Sequence, residues 1–232
     1  EDSIQGDAAL IQLQHQNGIS FAASQGDAKE AVDSKSFQVN IYDSSRKLLG
    51  SLNTDTHKQN IVSLVQLGTS EKLLSCARDR TFELWSLKEN TRLKNVNLEW
   101  IEQVVACYHQ EAKKSVLIVT IGGLLHEVSE ETWEVTKNYT SLNESVIVNS
   151  AELIADSNHV VLGTISNGLY IFSLDSDKVE ANVKLNPDST ESRIEAVESL
   201  PGSDKVVVAN QSPKLFIISV VNNSNGTIFK VV

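Results

Sequence analysis

Apolar and polar positions along this chain fall into short runs, and one combination returns at a nearly fixed interval. An apolar residue is followed by Asp or Ser at Tyr42-Asp43, Trp85-Ser86, Val128-Ser129, Phe172-Ser173 and Ile218-Ser219. The intervals are 43, 43, 44 and 46 residues. Each pair closes a short apolar stretch and precedes a polar turn, so one supersecondary unit of constant size is repeated. Within each unit, apolar and β-branched runs of strand length alternate with Gly, Asn, Asp and Ser clusters, which predicts four short strands per unit.

The second unit reads most plainly: Ile61 to Val65 as an inner strand, Lys72 to Ala77, Thr81 to Leu87, and a polar outer strand from Arg92 to Leu98. The fourth follows with Val146 to Ala155, His159 to Ile165, Leu169 to Leu174 and Lys178 to Leu185. Asn167-Gly168 predicts a type I′ hairpin turn there, with Gly122-Gly123 at the matching place in the third unit. The first unit carries a longer polar insertion, Gln25 to Lys35, expected on the surface. A period of about 40–45 residues with four strands per unit is that of a β-propeller blade. The expectation is therefore an all-β propeller of about five recognisable blades in one domain, with units at 8–52, 57–98, 101–142, 145–185 and 190–232. A β-sandwich also has many short strands, but the regular period argues against it. The run from Asn97 to Val104 allows half a turn of helix, and no further helix is expected.

Composition narrows the partners. A formal charge of −10 and a pI near 5.0 disfavour nucleic acid and anionic membrane surfaces, leaving proteins with basic or mixed-charge surfaces. No run is long and apolar enough to span a bilayer, and Glu1 to Asp7 does not resemble a signal peptide. The absence of Met hints at a processed or incomplete chain. Cys76 and Cys107 fall in apolar strand-like runs and are expected to be free buried thiols. Sequons at Asn138, Asn143, Asn222 and Asn225 arise readily in an Asn- and Ser-rich chain.

One unit carries more than a period. Ser75-Cys76-Ala77-Arg78-Asp79-Arg80-Thr81-Phe82-Glu83-Leu84-Trp85-Ser86-Leu87 resembles the end of a WD repeat, and Thr56-His57-Lys58-Gln59-Asn60-Ile61 resembles that family's Gly-His step. The resemblance implies a hydrogen-bonded set of His57, Ser75, Asp79 and Trp85 inside the blade, a structural rather than catalytic group. A buried Asp in a tight turn needs donors, which an imidazole, a hydroxyl and an indole can supply. Elsewhere the Asp position is Ser36, Gly122, Ser166 and Ser212, and no matching His stands upstream, so the chain resembles a divergent member. Seven blades are usual in that family. Missing blades are expected to lie outside this chain, ahead of closure by a partner or a five-bladed ring.

Chemistry is sparse. His15, His57, His109, His126 and His159 show no ligand spacing, so neither metal nor cofactor is expected. No phosphate loop or nucleophile elbow occurs, and Glu130 and Glu131 read as solvated charge. Recognition remains. Loops of one face in that family bind peptides or subunits, which places Arg78 and Arg80, flanking Asp79, as candidate contacts for an acidic partner segment; Trp100, between units near the start of the third blade, is a candidate anchor if exposed, with burial between blades as the alternative. The expected function is a non-catalytic scaffold for protein–protein interaction in an intracellular assembly, nuclear or cytoplasmic. The competing reading is a secreted or lumenal propeller with glycan-binding or hydrolytic activity, which glycans on the sequons would favour.

Overall fold

The computed structural model describes residues 10–15, 18–25, 37–54, 57–139, 142, 146–154, 158–166, 168–185, 193–200, 203, 205–211, 215–223 and 226–231. Twenty strands form five separate four-stranded sheets among these residues, each sheet ordered as its strands follow in sequence. The blades are β1 (Leu10–His15), β2 (Gly18–Gln25), β3 (Phe37–Asp43) and β4 (Leu48–Thr54); then β5 (Ile61–Gln66), β6 (Lys72–Ala77), β7 (Thr81–Ser86) and β8 (Thr91–Asn97). The third comprises β9 (Val104–Gln110), β10 (Ser115–Thr120), β11 (Leu125–Ser129) and β12 (Val135–Asn138); the fourth β13 (Val148–Ile154), β14 (His159–Thr164), β15 (Gly168–Ser173) and β16 (Lys178–Lys184). The fifth comprises β17 (Ile194–Ser199), β18 (Lys205–Asn210), β19 (Leu215–Asn223) and β20 (Gly226–Val231). This is a β-propeller arrangement of blades and not a pair of facing sheets.

Two compact units share the chain: Glu1–Ile118 with Val128–Val135, and Val119–Glu127 with Thr136–Val232. In the first unit, Val65, Leu74, Cys76, Phe82, Val104, Cys107 and Ile118 build one core cluster, and Leu13, Val39, Ile41, Leu64, Leu73 and Trp85 another. In the second, Val161, Leu169, Ile171, Val197, Val206, Val208 and Ile218 pack together. First strands meet first strands within each unit, β1 with β5 and β5 with β9, and β13 with β17. In the fourth blade the second and third strands, β14 and β15, are buried on both faces throughout their length, as is β10 in the third, whereas β8 and β16 are exposed along most of theirs; in the fifth blade β18 is buried only at alternate positions and β19 exposes Leu215 and Ile217. The fourth strand is therefore the outer edge of its blade, which is why it reads as polar in the second and fourth blades.

The geometry explains the repeated dipeptide. Its first residue enters the core in four blades, where Trp85, Val128, Phe172 and Ile218 are buried, while Tyr42 in the first is half-buried. In the first four blades its second residue caps the turn into the outer strand; in the fifth, Ser219 lies inside β19 and pairs with Lys230, so the polar turn expected directly after Ile218-Ser219 is displaced to the end of a longer strand. The Asp43 carboxylate accepts from the Ser45 and Lys47 amides at 2.8 and 2.9 Å, Ser86 Oγ from the Glu89 amide at 3.2 Å, and Ser173 Oγ from the Ser176 amide at 3.2 Å. Ser129 Oγ accepts from both Glu131 and Thr132 amides at 3.2 Å. A short oxygen-bearing side chain at that point satisfies turn amides with no strand partner.

The same turns hold a left-handed residue, Arg46, Asn90, Trp133 and Asp177, with φ of 67°, 53°, 63° and 55°. A register shift then follows in β4, β8 and β16, leaving Leu49, Leu93 and Glu180 as bulge residues.

Local expectations fared unevenly. Helix is confined, among the described residues, to a 3-10 turn at Glu111–Lys113. The run from Asn97 to Val104 is a turn after β8, closed by the Ile101 amide on the Leu98 carbonyl at 3.0 Å. Gly168 is the first residue of β15 and Asn167 lies outside the described residues; Thr164 Oγ1 closes this turn by accepting from the Gly168 amide at 3.1 Å. Gly123 has φ +75°, and a Cβ there would come 2.6 Å from Leu142 Cδ1, so the third blade's turn needs glycine for both reasons. Most of the insertion after Gln25, and the positions Ser36 and Ser212, lie outside the described residues.

Candidate functional site

The second blade brings His57, Ser75 and Trp85 into direct contact and joins Asp79 to them through a residue the sequence reading omitted, Thr81. Trp85 Nε1–H donates to Ser75 Oγ at 3.1 Å, and Ser75 Oγ meets His57 Nε2 at 2.9 Å. His57 Nδ1 lies 2.6 Å from Thr81 Oγ1, whose hydroxyl donates to Asp79 Oδ1 at 2.5 Å. Because Thr81 gives its proton to the carboxylate, it must accept from Nδ1–H, and His57 Nε2 then accepts from Ser75. The bonds run in one direction from indole to carboxylate. Asp79 also accepts from the amides of Lys58 and Thr81, the latter at 3.1 Å, tying the loop before β5 to the turn before β7.

His57, Ser75 and Trp85 are buried, at 3%, 0% and 3% exposure, which closes the group to substrate. Burial is the main force holding the His57 pKa below its ordinary value; Glu83 and Asp79 pull it upward, and Arg92 adds to the depression. The neutral imidazole this favours is the form the hydrogen-bond direction requires. Glu83 is a second residue absent from the sequence reading. Its fully buried carboxylate meets the Arg92 guanidinium at 2.8 Å and His57 Nε2 at 3.5 Å. The alternation of β7 marks Glu83 only as one polar position in an apolar run.

Around Asp79 the loops form a shallow depression of about 280 Å³ lined by Gln59, Arg78, Asp79, Arg80 and Gln103. Arg78 is exposed, and its guanidinium has no bond or ion pair among the described residues. Arg80 is different in kind. Its backbone is left-handed, φ 71°, where the third blade uses Gly123, and its Nη1 donates to the carbonyls of Glu99 and Ile101 at 3.1 and 3.4 Å. It thereby clamps the segment that carries Trp100, whose side chain is 54% exposed. Bulky residues adopt positive φ at a cost, and such strain persists where surrounding bonds impose it.

Three further histidines stand apart from one another, each with a side-chain partner of its own, and His109 Nδ1 also accepts from the Gly68 amide at 3.0 Å. His109 Nε2 meets Glu130 at 2.8 Å, His126 Nδ1 meets Asn138 at 2.7 Å and His159 Nε2 meets Glu180 at 3.0 Å. No group of three metal-ligating side chains occurs among the described residues. Cys76 and Cys107 are free and buried; burial and the neighbouring Cys107 push the Cys76 thiol well above its ordinary pKa, away from reactivity. No helix among the described residues is long and apolar enough to cross a membrane.

These features define a β-propeller whose second blade is WD-like. Among solved structures the chain is similar to the β-propeller domain of Cps50 (Swd1) from Myceliophteria thermophila, with a TM-score of 0.72 at 15% identity over 99% of this chain and 72% of that one. No protein-family profile and no curated protein sequence matches. The fold is shared with 1482 chains of known structure, and a fold so widely used does not define a function.

Proposed function

We propose that this chain is a non-catalytic scaffold that docks an acidic segment of a protein partner on the loop face of its second blade. The observation that carries this reading is the clamp of Arg80 on the Glu99 and Ile101 carbonyls, which holds an exposed indole, Trp100, on the loop that follows β8. A partner meets a ready surface and loses little freedom in ordering it. Arg78 supplies a solvent-facing guanidinium for carboxylates, and Trp100 an amphipathic anchor of the kind that dominates binding energy. The His57–Ser75–Trp85 group beneath is the support of that face. We further propose an intracellular assembly as its setting.

The test is comparative affinity purification with quantitative mass spectrometry. Arg78→Glu with Trp100→Ala should remove at least one partner by roughly tenfold while the domain stays folded, checked by its melting curve, since Arg78 is exposed and Trp100 is 54% exposed. Arg80 is left intact because its loss would also release the loop. Full retention of every partner by the double variant would refute the assignment.

A further inference from the structure

The outer strand of a blade leaves one side without a strand neighbour, and such an edge invites pairing unless charge guards it. Four of the five outer strands carry lysine: Lys94 in β8, Lys137 in β12, Lys178 and Lys184 in β16, and Lys230 in β20. β4 runs Leu-Leu-Gly-Ser-Leu-Asn-Thr and holds no charge. Its Leu48 and Leu49 are 52% and 61% exposed. The bulge position makes the contrast direct, since Leu93 is flanked by Arg92 and Lys94 and the fourth blade has Glu180, whereas Leu49 stands between Leu48 and Gly50.

Gly50 is the second observation. It lies inside a strand, where glycine weakens the sheet. Its φ is not in the left-handed region, and a Cβ built on it meets nothing within 4 Å. Neither backbone conformation nor internal packing therefore calls for glycine here. A bare backbone position in a strand, here beside the bulge at Leu49, fits close approach by another backbone, and no described residue lies within 4 Å of the open position.

We propose that β4 is an edge-addition site, pairing antiparallel with an extended segment of a protein partner whose side chains alternate apolar and polar and whose C-terminal end is acidic. Antiparallel addition continues the pairing of the sheet and brings that end to the start of β4. There the turn offers Arg46 and Lys47, both exposed, while the turn's own carboxylate, Asp43, is turned into its loop by the Ser45 hydroxyl and two amides. Leu48 and Leu49 supply the apolar rim. This surface is separate from the loop face of the second blade.

The probe is a synthetic peptide of seven residues, the length of β4, with valine and threonine alternating and aspartates at its C-terminal end, followed by fluorescence anisotropy. Binding is expected, and N-methylation of alternate amides should weaken it roughly tenfold because the main chain supplies the contacts. Gly50→Val should weaken it as much while Tm stays the same or rises, since the added side chain meets open space and favours a strand. No binding up to about 1 mM, or binding indifferent to N-methylation or to Gly50→Val, overturns the proposal. A lowered Tm in Gly50→Val overturns it also, because the glycine would then serve the fold. Sedimentation showing self-association that Leu49→Lys abolishes would make a second copy the occupant, against the partner proposed.

Discussion

At the scale of single residues, the second blade turns on a hydroxyl that carries no signature of its own. His57, Ser75, Asp79 and Trp85 could be picked out because the segments that carry them resemble a WD repeat. Thr81 could not, since a threonine opening a strand is ordinary; only coordinates show it relaying between His57 and Asp79. Thr81→Val keeps the shape and removes the relay, leaving His57 Nδ1–H without its acceptor. Loss of a buried partner costs about 1–3 kcal/mol, so Tm should fall by roughly 4–8 °C for a 2 kcal/mol loss. An unchanged melting curve would place the stabilisation elsewhere. The histidine predicts a pH effect with a definite sign. Its folded pKa lies below the ordinary 6.5, so the unfolded chain takes up the proton first as pH falls. Stability from this site is complete above pH 6.5 and declines below it, by at most about 1.4 kcal/mol per pH unit. His57→Gln should lower Tm at pH 7 and flatten the decline toward pH 5 relative to wild type; parallel curves would assign the decline to other groups.

At the scale of elements, strands were legible from period and alternation because the second, third and fourth blades repeat one burial gradient. The turns were less so. The recurring Ser or Asp was visible as a position, yet its work, accepting turn amides, depends on geometry that sequence spacing does not contain. The left-handed residue after it was invisible: Asn90 suits that backbone, but Trp133 does not, and its ring is held there by burial in the first unit's core with Lys94 Nζ 6.0 Å from its centroid. Ser129→Ala isolates the cap. Two amides, of Glu131 and Thr132, lose their acceptor in an exposed turn, for which about 1 kcal/mol and roughly 2–4 °C in Tm are expected. Ser129→Asp should restore most of it, as Asp43 performs the same task in the first blade. Equal loss in both variants would show that the hydroxyl, not an acceptor at that site, matters.

For the whole molecule, five repetitions made the fold readable where any one unit would have been ambiguous, and the same averaging hid the site, which belongs to one blade. Charge acts at this scale as well. With −10 overall, a long polyanion meets net repulsion, whereas a short acidic segment meets only what lies within a Debye length, about 8 Å in physiological salt. Over that distance Arg78, or Arg46 with Lys47, can dominate. The two scales therefore make opposite predictions for ligands of the same sign. Fluorescent poly(U) and vesicles containing phosphatidylserine should show no binding at about 0.15 M salt, while short acidic peptides bind and Arg78→Glu weakens those that use the second blade. Binding of poly(U) that falls steeply with added salt would mean that the cations act together as a continuous basic track, and the scaffold reading would give way to one of nucleic-acid recognition.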